Sequence, residues 1–403
     1  MRGEEVRVQH EDRRPHVAML VRNPYTHDTR VQKEARSLVA AGYRVTVVAD
    51  GAAGLRSQED RDGTTVIRVE RAARRLPGLR YLLHDWRLLR VLLRLQPHII
   101  HAHDSNALLP VALAARWRRV PFVYDAHDLW LGRPRRQRSR LYFALNQAVY
   151  RLIERLLVPA AAAAITVSPP IARHLERVYG LPRVDLVPNY PDVEELPTRR
   201  DLRTLTDAGP LHPDRPIALY LGGLMAGRGL ENLVDAAASF RDAQLVLLGS
   251  GALAEDLARR AGALGVAERV HLLSPVPSDH VVDYAADAQI GVSPIVPSCL
   301  NYRYSLPNKL FQYMAAGIPV VASDFPQVRE VVEGAACGAL VDTGRPDAIA
   351  EAVNAILSDP AAARAMGERG QRAVRDRFNW SVAERTLLDV YARVSSSPRS
   401  GAA

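Results

Sequence analysis

Cysteine is nearly missing from this 403-residue chain: only Cys299 and Cys337 occur, with no CxxC pair. A disulfide framework needs more thiols, and a zinc site needs clustered Cys or His, so neither is expected and both thiols read as structural. Lysine is rarer than composition would suggest, Lys33 and Lys309 being the two among 53 basic residues. Aromatic residues make up 6% and form no interleaved basic platform, so nucleic acid is not an expected partner. No apolar run is long enough to span a bilayer. The least polar stretch, Leu156 to Val167, is alanine-rich and interrupted by Pro159. The charged start, MRGEEVRVQHEDRRPH, has no apolar centre and does not read as a signal peptide. The expected place is the cytoplasm, with at most a peripheral contact on the inner face of a membrane.

What is present is an ordinary globular balance, 48% apolar and 24% charged, in a chain long enough for two domains. The net charge of +9 is uneven. Residues 1–195 hold 32 basic and 21 acidic side chains, whereas 196–403 hold 21 and 23. Codon bias explains arginine over lysine but not that asymmetry. A basic first half suits a phosphate-bearing acceptor or anionic lipid. Its run Arg133–Arg140 leads into an amphipathic stretch, Leu141 to Leu157. That stretch suits a lipid surface and a solvated, arginine-coated helix equally well.

Short apolar runs alternate with helical patterns almost to the end. Strands are expected at His16–Arg22, Arg44–Ala49, His98–His101, Pro121–Tyr124, Ile165–Ser168 and Val184–Val187. Helices are expected from Asp28 to Ala41 and from Leu79 to Leu95. The rhythm stops over 196–215, rich in proline and charge, and restarts with strands at Ile217–Leu221, Gln244–Leu248, Arg269–Leu273, Ala288–Val292 and Pro319–Ala322. The end, from Ala361 to about Ser395, reads as helical. This pattern predicts an α/β chain with two Rossmann-like parallel-sheet lobes facing a cleft, and a helical tail.

Three places carry chemistry. In Asn301-Tyr-Arg-Tyr-Ser-Leu-Pro-Asn-Lys-Leu-Phe-Gln-Tyr-Met-Ala-Ala-Gly317, Pro307 fits the first turn of a helix and Gly317 its stop. The start of that helix offers free N–H groups and a positive dipole end. Lys309 is unfavourable there unless it meets an anion such as phosphate. The second place is Tyr220-Leu-Gly-Gly-Leu-Met-Ala-Gly-Arg228, where glycines admit a ligand close to backbone and Arg228 is set to clamp an anion. Gly249-Ser-Gly251 is a weaker signal of the same kind. The third place is a set of His/Asp clusters at strand ends: His27-Asp28, His101-Ala-His103-Asp104 and Asp125-Ala-His127-Asp128. They read as acid–base pairs, as metal ligands, or as packed structural groups; no metal site is expected.

Several segments together resemble glycosyltransferase family four: Ser305-Leu-Pro-Asn-Lys-Leu-Phe-Gln-Tyr-Met314 and its continuation, Arg228 after its glycines, Leu247-Leu-Gly-Ser-Gly251, Val187-Pro-Asn189, Asp28 to Ala35, and Phe378-Asn-Trp380. The resemblance spans nearly the whole chain. It implies a GT-B fold, with an acceptor-binding lobe over 1–195, a linker over 196–215, a donor-binding lobe over 216–375 and a tail over 376–403 that returns to the first lobe. It implies transfer of a sugar from a nucleotide diphosphate donor with retention of configuration, no cofactor and no required metal. UDP, GDP and dTDP sugars all remain open as donors. Glycans, lipid-linked glycans and specialised metabolites remain open as acceptors. By the same resemblance, Arg228 and Lys309 hold the donor diphosphate, and backbone amides at Ser305, Leu306 and Asn308 cradle sugar and phosphate. Position 312 meets the ribose, and His127 lies against donor sugar or acceptor hydroxyl. Gly222, Gly223, Gly249 and Tyr304 complete the expected donor-binding set. The family often has glutamates where this chain has Tyr304 and Gln312. That departure keeps a non-catalytic donor-binding subunit open as a second reading. A nucleotide-sugar epimerase of the same fold is a third, though its acid–base carboxylates cannot be placed.

Overall fold

A computed structural model of the chain describes residues 14–71, 79–133, 140–192, 197–205 and 211–396. The N-terminal stretch 1–13, residues 134–139 of the arginine run and 206–210 of the expected linker lie outside these. The chain divides into two compact units. One comprises Met1–Asp125, Ile153–Ala164 and Leu388–Ala403; the other comprises Ala126–Leu152 and Ile165–Leu387.

The first sheet contains β1 (His16–Leu20), β2 (Arg44–Asp50), β3 (Gln58–Arg61), β4 (Thr64–Val69), β5 (Ile99–His103), β6 (Phe122–Ala126), β7 (Ala163–Thr166) and β8 (Asp185–Leu186). Its order is β3-β4-β2-β1-β5-β6-β7-β8. β1 runs parallel to β2 and β5, while β3 is antiparallel to β4. The second sheet contains β9 (Ile217–Leu221), β10 (Gln244–Leu248), β11 (Val270–Leu273), β12 (Ile290–Ser293), β13 (Val320–Ser323) and β14 (Gly338–Val341). Its order is β11-β10-β9-β12-β13-β14, with parallel neighbours throughout. Every residue of β9 and β10 is buried, as expected of parallel strands covered on both faces.

The hairpin β3–β4 leaves, in its first strand, no apolar pattern in the sequence. Gln58-Glu-Asp-Arg61 has no apolar residue to reveal a strand, because it lies at the sheet edge, where charge discourages further pairing. Its turn, Asp62-Gly63, has φ of 50° and 75°, as a tight hairpin turn requires. Two residues of the expected linker lie in the second unit's core: Leu202 and Leu211 are buried there. The Leu202 N–H also donates to Asp287 at 3.0 Å. The helical end comprises two helices, Pro360–Asp376 and Trp380–Ser396. Asn379 breaks them by turning its amide back onto the carbonyls of Val374 and Arg375, satisfying the end of the first helix.

Candidate active site

The helix Asn308–Ala315 is built to hold Lys309 in place. Leu310, Phe311, Tyr313 and Met314 are buried, each worth roughly 1.5–3 kcal/mol of apolar transfer. The Tyr313 hydroxyl accepts from the Leu221 N–H at 2.9 Å and donates to the Val292 carbonyl at 3.2 Å, joining the helix to β9 and the end of β12. A side chain at Gly291 would come within 2.2 Å of the Tyr313 ring, so glycine there makes the room. Lys309 lies one turn before Tyr313 on the same face. Pro307 is the residue capping this helix, with an extended ψ of 133°, and not its first-turn residue as the sequence suggested. The fixed φ of proline satisfies both positions, so the sequence could not separate them. Gly317 follows the helix with φ 74°.

Lys309 is only 8% exposed. Its Nζ lies 3.6 Å from the centre of the Tyr220 ring, and the Tyr220 hydroxyl donates to the Gly223 carbonyl at 3.0 Å. Arg228 rests similarly over Tyr302, at 5.2 Å. Among the described residues, neither cation pairs with a carboxylate. Burial, and then the neighbouring Arg228 charge, hold the Lys309 pKa well below the ordinary lysine range. A ring contact returns about 0.5–2 kcal/mol, whereas an unpaired buried charge costs several. The balance is unfavourable until an anion arrives. Arg228 is held from both sides. Gly227 and Gly229 adopt φ of 82° and 72°, and a Cβ on Gly229 would fall 1.7 Å from the Pro294 carbonyl oxygen.

Beside these cations, the N–H groups of Leu306, Asn308 and Lys309 have no acceptor among the described residues. Ser305 differs: its N–H reaches the Tyr302 carbonyl at 3.3 Å and its hydroxyl donates there at 2.8 Å. The loop is tied down by groups far from it in the chain, which no local sequence signal marks. Gln327 donates to the carbonyls of Arg303 and Ser305, at 2.7 and 2.9 Å, and Ser168 donates to that of Tyr304 at 2.7 Å. The Tyr304 ring packs edge-on against His174. Gln312 is half-buried, and its side-chain amide has no hydrogen-bond partner among the described residues. Gly222 and Gly223 are exposed at the end of β9. Gly249 has its own packing reason, since a Cβ there would lie 2.0 Å from the Gly222 carbonyl oxygen.

His127 is half-buried just after β6, in the same unit as Lys309. Its neighbour Asp128 accepts from Arg133 Nε at 2.7 Å, and the following Leu129 N–H donates to Asn301 at 2.7 Å. The other histidine pairs belong to the other unit. Asp28 caps the helix Thr29–Ala40. His101 and His103 are fully enclosed and stacked 4.1 Å apart. With Glu34 and Asp125 they bring four potential ligand atoms within 4.8 Å. A cation is already there: Arg30 Nη2 and Nε reach Asp125 at 2.8 and 3.0 Å, and Nε reaches Glu34 at 3.0 Å.

Residues 28–195 match the family described as Glycosyltransferase Family 4, and residues 215–359 that described as Glycosyl transferases group 1. Alpha-maltose-1-phosphate synthase of Mycobacterium tuberculosis is 30% identical over 326 residues, covering 73% of this chain and 79% of that protein. Alpha-D-kanosaminyltransferase of Streptomyces kanamyceticus is 27% identical, covering 73% and 77%. Among solved structures, sucrose-phosphate synthase from Thermosynechococcus elongatus superposes with a TM-score of 0.79 at 21% identity, covering 96% of this chain and all of that one. HepE of Anabaena, solved with UDP and glucose, gives 0.71 at 15% identity, covering 94% and 99%. The chain belongs to glycosyltransferase family four and is a glycosyltransferase of GT-B fold.

Proposed function

We propose that the enzyme takes a sugar from a nucleoside diphosphate donor at the Arg228–Lys309 site and passes it to an acceptor with retained configuration and without a metal. The observation that carries this reading is the pair of carboxylate-free cations beside three unengaged amides. A departing diphosphate develops negative charge, and such donors stabilise it where water is excluded. Lys309 and the amides of Leu306, Asn308 and Lys309 meet the phosphates, Arg228 clamps them, and Gln312 offers its carbonyl to a ribose hydroxyl. His127 is assigned to the sugar or the acceptor hydroxyl. No double displacement on a protein carboxylate is required. The departing phosphate takes the acceptor proton on the face it leaves. The UDP in the HepE structure makes UDP the first nucleotide to try.

The test is the unfolding midpoint with UDP, GDP and dTDP, each with and without EDTA. Ligand at about 100 times its dissociation constant stabilises by ~2.7 kcal/mol, a rise of several degrees. A rise with one nucleotide that survives EDTA is expected. A rise abolished by EDTA would sink the metal-free reading, and no rise with any of the three would sink the donor site.

A second observation bears on the acceptor. The helix Arg140–Leu157 exposes Tyr142, Leu145, Val149, Leu152 and Leu156 along one stripe, with Arg140, Arg151 and Arg155 beside it. Apolar side chains flanked by arginine suit an anionic membrane surface, so a lipid-linked acceptor met at that surface is the favoured class. No helix among the described residues is long and apolar enough to cross a membrane.

A further inference from the structure

Ligands of parallel sheets bind beyond the C-terminal ends of the strands. The first unit has a concavity at the other end. A cavity of about 440 Å³ lies at the N-terminal ends of β2, β5 and β6, lined by Arg44, Arg94, Gln96, His98, Arg118 and Arg119 among others. No acidic residue lines it. None of the four guanidinium groups pairs with a carboxylate among the described residues. Arg118 Nε is shielded from solvent and has no hydrogen-bond acceptor there. His98 Nδ1 accepts from the His16 N–H at 2.9 Å, which leaves Nε2 as the donor of the neutral ring.

The bland explanation is helix capping. The helices Leu79–Leu95 and Ser105–Arg118 both end here, with Arg94 and Arg118 in their last turns. Each helix end carries roughly half a negative charge, so together they offset about one of the four positive charges. About three remain unmatched within one concavity. Arg119 is moreover held in the left-handed region, φ 55°, where glycine is the usual residue. The volume suits a small ligand, and guanidinium forks match phosphate oxygens. All of the lining residues belong to the first unit, whereas Arg228 and Lys309 belong to the second.

We propose that this cavity is a second anion site, separate from the transfer site, that takes a small molecule bearing a phosphomonoester or diphosphate. The probe is inorganic pyrophosphate, titrated calorimetrically into the full chain. Two variants are compared. One carries Arg228→Ala and Lys309→Met, removing the transfer-site cations; the other adds Arg94→Ala and Arg119→Ala, both exposed positions. The first variant keeps one saturable site. The second weakens it by about tenfold for each arginine removed. In the otherwise unaltered chain, the Arg94/Arg119 pair lowers the stoichiometry from two sites to one. Equal affinity in the two variants, or binding that never saturates, would overturn the proposal. So would phosphatidylglycerol vesicles that bind through Arg94 and Arg119 while pyrophosphate does not, since the arginines would then serve a lipid surface.

Discussion

Among the described residues, Lys309 faces a tyrosine ring and a second cation and no carboxylate, and that has consequences for protonation. Its pKa is lowered in the folded chain, so between that lowered value and the ordinary lysine range the folded protein is neutral at this position while the unfolded chain is charged. In that window the unfolded state binds more protons, so folding stability rises with pH. A bound diphosphate favours the charged form and draws a proton in. Calorimetry of nucleotide binding in two buffers of different ionisation enthalpy, scanned over about pH 6–10, should show uptake approaching one proton within the window, and affinity falling as pH rises through it. Lys309→Met, which keeps the stem and removes the charge, should lower turnover by roughly 100- to 1000-fold without lowering the unfolding midpoint. Full turnover in that variant, or no proton uptake at any pH in the wild type, would remove Lys309 from the phosphate site. The residue itself was legible: a rare lysine at a helix start, where a cation is out of place. The rings beneath the two cations were not. Tyr220 sits in an apolar strand run and Tyr302 among other tyrosines, and only the fold sets each ring under its charge.

At the scale of elements, the loop between β9 and its following helix is defined by what its glycines lack. Gly229→Ala combines a left-handed backbone with a direct clash on the Pro294 carbonyl, whereas Gly265, also left-handed at φ 70°, faces open space. Gly265→Ala should cost about 1–2 kcal/mol, and Gly229→Ala at least about 2 kcal/mol more, read from denaturant midpoints. Equal costs would show that the loop does not pin Arg228. The sequence marked this loop as glycine-rich but not which glycine is irreplaceable, because the clashing carbonyl lies sixty-odd residues away in the chain. The exposed stripe on the helix Arg140–Leu157 makes a separate prediction. Leu145→Asp with Leu152→Asp should abolish co-sedimentation with phosphatidylglycerol vesicles, while the midpoint stays within about 2 °C because both side chains already face water. Undiminished sedimentation would dismiss that face as a lipid contact.

For the molecule as a whole, the alternation of buried strands and amphipathic helices was enough to read two parallel sheets, since parallel strands demand a crossover between them. The return of the chain's end was an expectation of the family resemblance, not of any pattern in the residues. The first unit is assembled from three stretches, the last being Leu388–Ala403. Nothing local in Val390-Tyr-Ala-Arg-Val394 says that Tyr391 will be fully enclosed, with its hydroxyl 2.8 Å from His101 of β5 and its ring beside Tyr43. That arrangement sets an order of completion during synthesis. The ribosome releases the strands of the first sheet early, yet the helix bearing Tyr391 emerges some 260 residues after Asp125. At about 5–20 residues per second, that is a wait of roughly 13–50 s. For that interval, the half of the enzyme made first stays open around its buried histidines while the stretch Ile165–Leu387 is still being made.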